Sequence, residues 1–156
     1  MRLEYFQMLD SLESLSLDEA TIVARARVPE TSTVFEGHFP GYPLVPGVLL
    51  AETMAQASGY LLLALGGLKR MVFLAKLKEA NFRNFVLPGT EMTVEAARIH
   101  DGSGYAVMRS SIRVGDKKLA DAQLTFRIVP FPNAELKAHV EREAARLGFL
   151  PADMTQ

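Results

Sequence analysis

The chain has no cysteine among its 156 residues. This absence excludes disulfide bonds, thiolate nucleophiles, and zinc or iron–sulfur centres held through cysteine. Its three histidines lack the paired spacing of zinc ligands, so no metal site is predicted. The sequence also lacks the glycine motifs that bind dinucleotides or phosphates. Without a long basic run or a base-reading motif, nucleic-acid binding is not predicted either.

The remaining composition is that of an ordinary soluble domain. With 49% hydrophobic and 22% charged residues, the chain can build one core without disulfides or metals. Its first residues, MRLEYFQMLDSLE, carry acids and have no apolar stretch of signal-peptide length. A cytoplasmic location is therefore expected.

One long apolar stretch, from Val48 to about Leu65, predicts a helix that ends at Gly66 and Gly67. A helix that is apolar on all sides must be surrounded by protein or by lipid. The stretch is long enough to span a membrane. Glu52 interrupts it, however, and a charge-capable residue is unfavourable inside a bilayer. The sequence therefore predicts a core helix and no membrane span.

Strand patterns occupy most of the other segments, at residues 20–28, 70–78, 91–99, 105–114 and 118–129. Residues 70–78 are apolar enough to predict a buried strand. Turns at 101–104 and 115–116 join the last three strands as hairpins, which predicts an antiparallel sheet with one solvent-exposed face. A curved sheet and one long apolar helix pack most economically when the sheet wraps the helix, so the predicted fold class is α+β.

The C-terminal region predicts an appended amphipathic helix. Residues 134–147 follow a Pro-Phe-Pro sequence, with Asn133 as the helix cap and Gly148 at the end. The predicted organisation is a domain of residues 1–130 and a helical extension of residues 131–156. The extension is expected to pack on the domain or on a partner subunit.

Two polar residues stand out in the segment GHFPGYPLVPGVLLAETMAQA. His38 lies in a loop rich in glycine and proline, and a neutral imidazole accepts a proton near pH 7. Glu52 lies one turn into the apolar helix, where burial would favour its neutral, proton-donating form. A base and an acid are the groups needed to remove water from a hydroxylated acyl chain. His100 and His139 are expected to be surface residues.

The segment FEGHFPGYPLVPGVLLAETMAQA, residues 35–57, closely resembles the signature of the FabZ-type 3-hydroxyacyl-[acyl-carrier-protein] dehydratases. The resemblance implies a hot-dog fold and conversion of a (3R)-hydroxyacyl carrier-protein thioester to its trans-2-enoyl product, in fatty acid or lipid A acyl-chain synthesis. It implies homodimers, commonly assembled as trimers of dimers, in which each site takes His38 and Glu52 from different subunits. No dissociable cofactor is expected, because the phosphopantetheine arm belongs to the acyl carrier protein.

Further roles follow from positions near the predicted acid and base. Pro46 is expected in the first helical turn, and the N–H of Gly47, at the positive end of the helix dipole, is the expected donor to the thioester oxygen. Gln56 lies one turn beyond Glu52, where its amide could orient that carboxyl group or a water. Five apolar residues are expected either to line an acyl-chain tunnel or to pack in the core: Phe39, Tyr42, Val45, Leu49 and Phe82.

The chain departs from the family pattern in its first residues, LEYFQMLDSLESL, at Thr90 and in its tail beyond Val129. These departures favour a specialised branch with a dedicated carrier, and they leave acyl-chain length and carrier identity open. The basic residues between positions 69 and 83 form either a solvated face or a surface that steers an acidic partner. Two alternative functions remain: a hot-dog acyl thioesterase, and a non-catalytic subunit that binds acyl chains or assembles a complex.

Overall fold

A computed structural model describes residues 1–149. The strands are β1 (Ser11–Ser16), β2 (Thr21–Arg27), β3 (Met71–Phe82), β4 (Glu91–Asp101), β5 (Tyr105–Val114) and β6 (Lys117–Val129). The helices are α1 (Val34–Gly37), α2 (Gly47–Leu65) and α3 (Ala134–Leu147), and a single 3-10 turn spans Leu3–Tyr5.

The six strands form one antiparallel sheet in the order β1-β2-β4-β5-β6-β3. Alternation decides which side faces inward: in β2, Ile22, Ala24 and Ala26 are buried while Arg25 and Arg27 are exposed. The inner face packs around α2, which contacts β2, β3, β4, β5 and β6. The predicted α+β arrangement, a sheet wrapped around one central helix, is confirmed.

Helix α2 is the centre of the core. Its length and hydropathy would allow it to cross a membrane, but 67% of its most apolar window is buried within the protein's own fold. Met54, Ala57 and Leu61 are fully enclosed. The sheet therefore supplies the apolar surroundings that such a helix requires, and the prediction of a core helix is confirmed.

Strand β3 is an edge strand, so the prediction of a buried strand there is wrong for the single chain. It pairs with β6 on one side only. Phe73, Leu74 and Leu77 keep exposed fractions of 43%, 39% and 41%. The composition is that of a buried strand, but residues 1–149 supply a neighbour for only one of its edges. A long, apolar, unpaired edge is a surface that proteins normally cover.

The N-terminal segment and helix α3 meet beside β1. Strand β1 was not predicted, because Leu12 and Leu15 of its SLESLS sequence are three positions apart and do not show the alternation of a strand. Helix α3 packs against β1, and its predicted ends are confirmed. The Asn133 side chain accepts a hydrogen bond from the Leu136 N–H, and Gly148 takes a φ of 104° that ends the helix. Residues 150–156 of the predicted extension lie outside the described residues.

Replacing Ser58 by alanine is expected to raise the free energy of unfolding by about 1–2 kcal/mol. The Ser58 hydroxyl is fully buried in α2 and has no hydrogen-bond partner within residues 1–149. Burying an unpartnered hydroxyl costs about 1–3 kcal/mol, and alanine removes that cost. Chemical denaturation at fixed protein concentration measures the change.

The matched control is Ser110→Ala, because the equally buried Ser110 hydroxyl donates to the carbonyl of Glu95 at 2.7 Å. This change is expected to lower the free energy of unfolding by about 1 kcal/mol. If Ser58→Ala also lowers the free energy of unfolding, the Ser58 hydroxyl has a hydrogen-bond partner in the folded protein.

Candidate active site

A tight turn shapes the loop that carries His38. Phe39 and Tyr42 exchange two backbone hydrogen bonds, of 3.0 and 2.9 Å, around Pro40 and Gly41. Proline fixes the first central position of such a turn, and Gly41 supplies the positive φ, 75°, that the second requires. The chain therefore reverses direction and returns residue 44 to the side of residue 38. The His38–Phe39 peptide bond is cis.

Backbone contacts fix the orientation of the His38 ring. Its Nδ1 lies 2.9 Å from the carbonyl oxygen of Leu44, and the Leu44 N–H donates to the carbonyl of His38, also at 2.9 Å. Because a carbonyl oxygen can only accept, Nδ1 carries the proton and donates it. The Nε2 atom of the neutral ring therefore keeps its lone pair. The Phe39 ring stacks on the imidazole with centroids 4.1 Å apart.

His38 opens into a cavity of about 520 Å³. Of the residues predicted to lie at the site, it brings together His38, Phe39, Val45, Gly47 and Phe82. No place at the site was predicted for its other lining residues, although Arg83 is one of the basic residues noted between positions 69 and 83. These residues are Leu44, Leu50, Arg83, Asn84 and Phe85. The Pro-Gly sequence could have predicted the position of Leu44, because a turn there returns residue 44 to the side of His38. Leu50 lies on α2, and Arg83, Asn84 and Phe85 directly follow β3, where the Arg83 N–H donates to the carbonyl of Leu119 in β6. No local pattern reveals that this pairing brings them to His38.

Two of the five predicted tunnel residues do not line this cavity. Tyr42 lies on the outside of the turn with 58% of its surface exposed. Leu49 points into the protein and belongs to the core, where it is 8% exposed. For Leu49 the core-packing alternative is therefore the one that the structure favours. Phe39, Val45 and Phe82 remain candidates for contact with a bound chain.

The rim of the His38 cavity carries an ion pair between Arg83 and Asp121. Their nearest nitrogen and oxygen atoms are 2.6 Å apart, and Asn81 also donates to Asp121, at 3.1 Å. Burial alone would raise the pKa of Asp121, but hydrogen bonds from Asn81 and Arg83, together with the positive charges of Arg83 and Lys118, hold that pKa below its ordinary value. Asp121 thus stays ionised at neutral pH and offsets part of the charge on Arg83.

Gly47 begins helix α2 at the wall of the same cavity. Pro46 precedes the helix with an extended ψ of 137°, so its predicted place in the first turn is wrong. The carbonyl of Pro46 accepts from the N–H groups of Leu49 and Leu50. Within residues 1–149 the N–H of Gly47 donates to no backbone or side-chain acceptor, as the first residue of a helix allows. The Phe82 ring lies over Gly47, 3.9 Å from where a Cβ would be.

Glu52 lies on a different side of α2. Five residues along a helix correspond to a rotation of about 140° from Gly47, so within one chain Glu52 does not line the His38 cavity. It lines a second cavity, of about 250 Å³, between α2 and the first half of β3. The expectation that Glu52 is enclosed by apolar residues is wrong for the single chain, in which Glu52 is half-buried. The cavity that leaves Glu52 accessible to solvent is bordered by Val72, Phe73 and Leu74 of the unpaired strand β3.

Gln56 holds Glu52 in place through an amide group whose orientation is fixed by three hydrogen bonds. Its Oε1 accepts from the Met8 N–H at 3.1 Å, which settles the orientation of the amide group because the backbone N–H can only donate. Its Nε2 donates to the Phe6 carbonyl and, at 3.1 Å, to Oε1 of Glu52. A neutral Glu52 held in this way would carry its proton on Oε2, the oxygen that Gln56 does not contact.

Tyr60 also lines the Glu52 cavity. Burial raises the pKa of Tyr60 to about 12, an effect to which Glu143 adds and which Arg146 opposes. Its ring packs against Phe149, with centroids 5.8 Å apart. Tyr60 is therefore neutral at physiological pH and places no second negative charge beside Glu52.

The remaining polar residues do not add to the site. His100 is exposed and lies 3.2 Å from the hydroxyl of Tyr105, and His139 is exposed on α3, as predicted. Among the described residues, no three His, Asp or Glu side chains cluster closely enough to hold a metal ion. The His38 cavity offers an imidazole and the free N–H of Gly47, and the second cavity offers the carboxyl group of Glu52.

Comparison with known proteins places this arrangement in a family. A FabA-like domain matches residues 2–123. The 3-hydroxyacyl-[acyl-carrier-protein] dehydratase FabZ of Enterococcus faecalis is 36% identical, over 79% of this chain and 87% of that protein. The FabZ protein of Koribacter versatilis is 41% identical, over 71% of this chain and 72% of that protein.

This chain belongs to the FabA-like family, with FabZ-type dehydratases among its relatives. The predicted resemblance is therefore confirmed. A solved structure of a hypothetical thioesterase with coenzyme A, from Streptococcus pneumoniae, aligns with a TM-score of 0.63 at 15% identity, over 79% of this chain and 88% of that one. At such low identity the likeness establishes the fold alone, and the predicted hot-dog fold is confirmed.

Proposed function

We propose that this protein removes water from a (3R)-hydroxyacyl thioester carried on acyl carrier protein, giving the trans-2-enoyl thioester for fatty acid or lipid A acyl-chain synthesis. FabZ-type relatives at 36–41% identity over most of the chain support this function. The observation that carries it is the orientation of the His38 imidazole, which leaves Nε2 free to accept a proton. His38 also lines a largely apolar cavity. The proposed reaction needs no dissociable cofactor.

His38 is the proposed base. Its Nε2 takes the proton from the carbon next to the thioester carbonyl, and the Leu44 carbonyl stabilises the resulting imidazolium through Nδ1. The electron pair moves towards the thioester oxygen. The free N–H of Gly47 lies on the same cavity wall, at the positive end of α2, and is the proposed donor to that oxygen.

Glu52 is the proposed acid. The bond from the third carbon to its hydroxyl group breaks as Glu52 transfers its proton to that oxygen, which leaves as water. Gln56 occupies Oε1 of Glu52, so the proton is presented from Oε2. The proton taken by His38 and the proton lost by Glu52 balance the reaction, and later exchange with solvent restores both groups.

The two groups meet in the proposed homodimer and not within one chain. The His38 cavity includes Phe82, at the end of β3, whereas the Glu52 cavity includes Val72, Phe73 and Leu74, near its start. A two-fold axis through the uncovered edge would pair β3 with its copy in the antiparallel sense. The end of one β3 then lies beside the start of the other, so the His38 cavity of one subunit faces the Glu52 cavity of its partner.

The same pairing accounts for two features of the single chain. It covers the apolar β3 edge, and it encloses the half-buried Glu52. Loss of solvent around that carboxyl group would favour its neutral form, which is the form an acid needs. Assembly of such dimers into trimers remains a prediction, as does a cytoplasmic location.

A basic rim supports the proposal that an acidic carrier approaches the His38 cavity from the side of β6. Lys117 and Lys118 line a groove of about 320 Å³ that shares Arg83, Asn84 and Phe85 with the His38 cavity. Both lysines are exposed and form no ion pair within residues 1–149. Of the predicted basic cluster, Arg83 alone borders these cavities.

Reversing charge at Lys117 and Lys118 together, to glutamate, is expected to raise KM for a carrier-linked substrate about tenfold at low salt while kcat stays unchanged. A small soluble thioester without a carrier should be converted as before. Lys137→Glu, on the distant helix α3, is the control. Equal losses on carrier-linked and carrier-free substrates would contradict a carrier surface here.

The proposed reaction is tested by following a trans-2-enoyl thioester spectroscopically as it is hydrated, with thiol release measured in the same samples. Hydration without thiol release is expected. Thiol release without hydration would establish a thioesterase instead. Bound acyl chain without either reaction would establish a non-catalytic subunit.

A further inference from the structure

The C-terminal helix α3 lies beyond the part of the chain that the FabA-like domain matches. It nevertheless has a fixed place in the fold. Asn133 caps its start, and Ala144 and Leu147 are buried where it meets β1 and the core. One of its side chains reaches across to the opposite end of the sequence.

That side chain is Arg146. Its Nη1 donates to the carbonyl oxygen of Leu9 at 3.1 Å, a partly buried contact between residues 137 positions apart. Its Nε donates to Oε2 of Glu143 at 2.9 Å. A planar guanidinium held on two sides keeps a definite orientation. The Leu9 carbonyl is therefore held by a helix that lies beyond the matched FabA-like domain.

The N-terminal segment connects the Arg146–Leu9 contact to Glu52, the proposed acid. Leu9 and its neighbour Met8 are both buried, and Phe6 takes a left-handed φ of 55° just before them. This bend aims the Phe6 carbonyl and the Met8 N–H at one amide group, that of Gln56. Gln56 in turn donates to Glu52.

We propose that Arg146 is a positioning residue for Glu52, acting through Leu9, Met8 and Gln56. Each link is a hydrogen bond or an adjacent peptide unit, so freeing the Leu9 carbonyl releases the Met8 N–H and then the Gln56 amide. A carboxyl group that samples more orientations reaches the reactive geometry less often, which lowers the rate of the chemical step. The inference rests on the proposed function, because it takes Glu52 to be the acid.

Arg146→Met is expected to lower kcat about fivefold, within the range seen for residues that act through a contact network. KM should not change, because Arg146 lines neither cavity. Arg146→Lys keeps a donor for the Leu9 carbonyl and should stay within about twofold of the parent kcat. The control is Arg142→Met on the same helix, because Arg142 is exposed and has no ion pair or hydrogen bond within residues 1–149.

A double-mutant cycle separates positioning from general loosening of the fold. Gln56→Met alone should lower kcat about tenfold, and adding Arg146→Met should change it no further, because the chain of contacts is already broken. Losses that multiply would overturn the proposal. Thermal unfolding is measured for every variant. If Arg146→Met does not fold, Arg146→Lys decides: a fivefold loss of kcat in that variant overturns the proposal.

Failure of the proposed function would look different. Glu52→Gln is assayed beside these variants. If Glu52→Gln keeps the parent rate, Glu52 is not the acid and the inference falls with the function. If Glu52→Gln is inactive and the double variant loses kcat by the product of the Arg146→Met and Gln56→Met factors, the proposed function stands. Only the positioning role of Arg146 is then wrong.

Discussion

Replacing His38 by alanine is expected to lower kcat for the dehydration about 10³-fold, within the range that general acid–base catalysis contributes. Alanine removes Nε2, the only ring atom of His38 left free to accept a proton. The cavity of about 520 Å³ remains and is large enough to admit free imidazole. Added imidazole should therefore restore part of the lost rate, measured as hydration of a trans-2-enoyl thioester.

His100→Ala is the matched control, because His100 is an exposed histidine on β4. It should keep the parent rate. Thermal unfolding of the His38 variant shows whether the fold survives loss of the contact with the Leu44 carbonyl. A folded His38→Ala protein with the parent rate would remove His38 from the mechanism.

Replacing Glu52 by glutamine is expected to lower kcat by a similar factor, about 10³. The glutamine side chain has the same shape and keeps an oxygen that can accept from Nε2 of Gln56. It cannot release a proton to the departing hydroxyl group, so the loss reports proton transfer and not packing. KM for the substrate should change little.

Glu36→Gln controls for loss of a carboxylate near the loop, since Glu36 is exposed and only two residues from His38. It should be fully active. Glu52→Asp keeps the acid but shortens its reach, and an intermediate rate is expected. Full activity in Glu52→Gln would mean that another group protonates the leaving hydroxyl.

The sequence predicted those parts of the fold that depend on composition and periodicity. Helix α2 could be predicted because a long apolar stretch has few stable environments, and α3 because Asn133 and Gly148 mark its ends. The exposure of β3 could not be predicted. Its side chains are those of a buried strand, and only the order of strands in the sheet shows that one edge has no neighbour among the described residues.

The candidate site, like the fold, could be predicted only in part from the sequence. His38 and Glu52 could be selected from their residue types and surroundings. The Leu44 carbonyl that orients His38 is a backbone group, and the Met8 N–H that orients Gln56 lies 48 positions away in the chain. Their roles depend on tertiary geometry. The same holds for Arg146 and Leu9, which no local pattern connects.

Mixed dimers test the central claim, that each site combines His38 of one subunit with Glu52 of the other. Chains carrying His38→Ala and chains carrying Glu52→Gln are inactive alone and are then unfolded, mixed in equal amounts and refolded together. Random pairing should restore about a quarter of the parent activity, because half of the dimers are mixed and each of these has one intact site. Mixed dimers that form and show no activity would contradict the shared site.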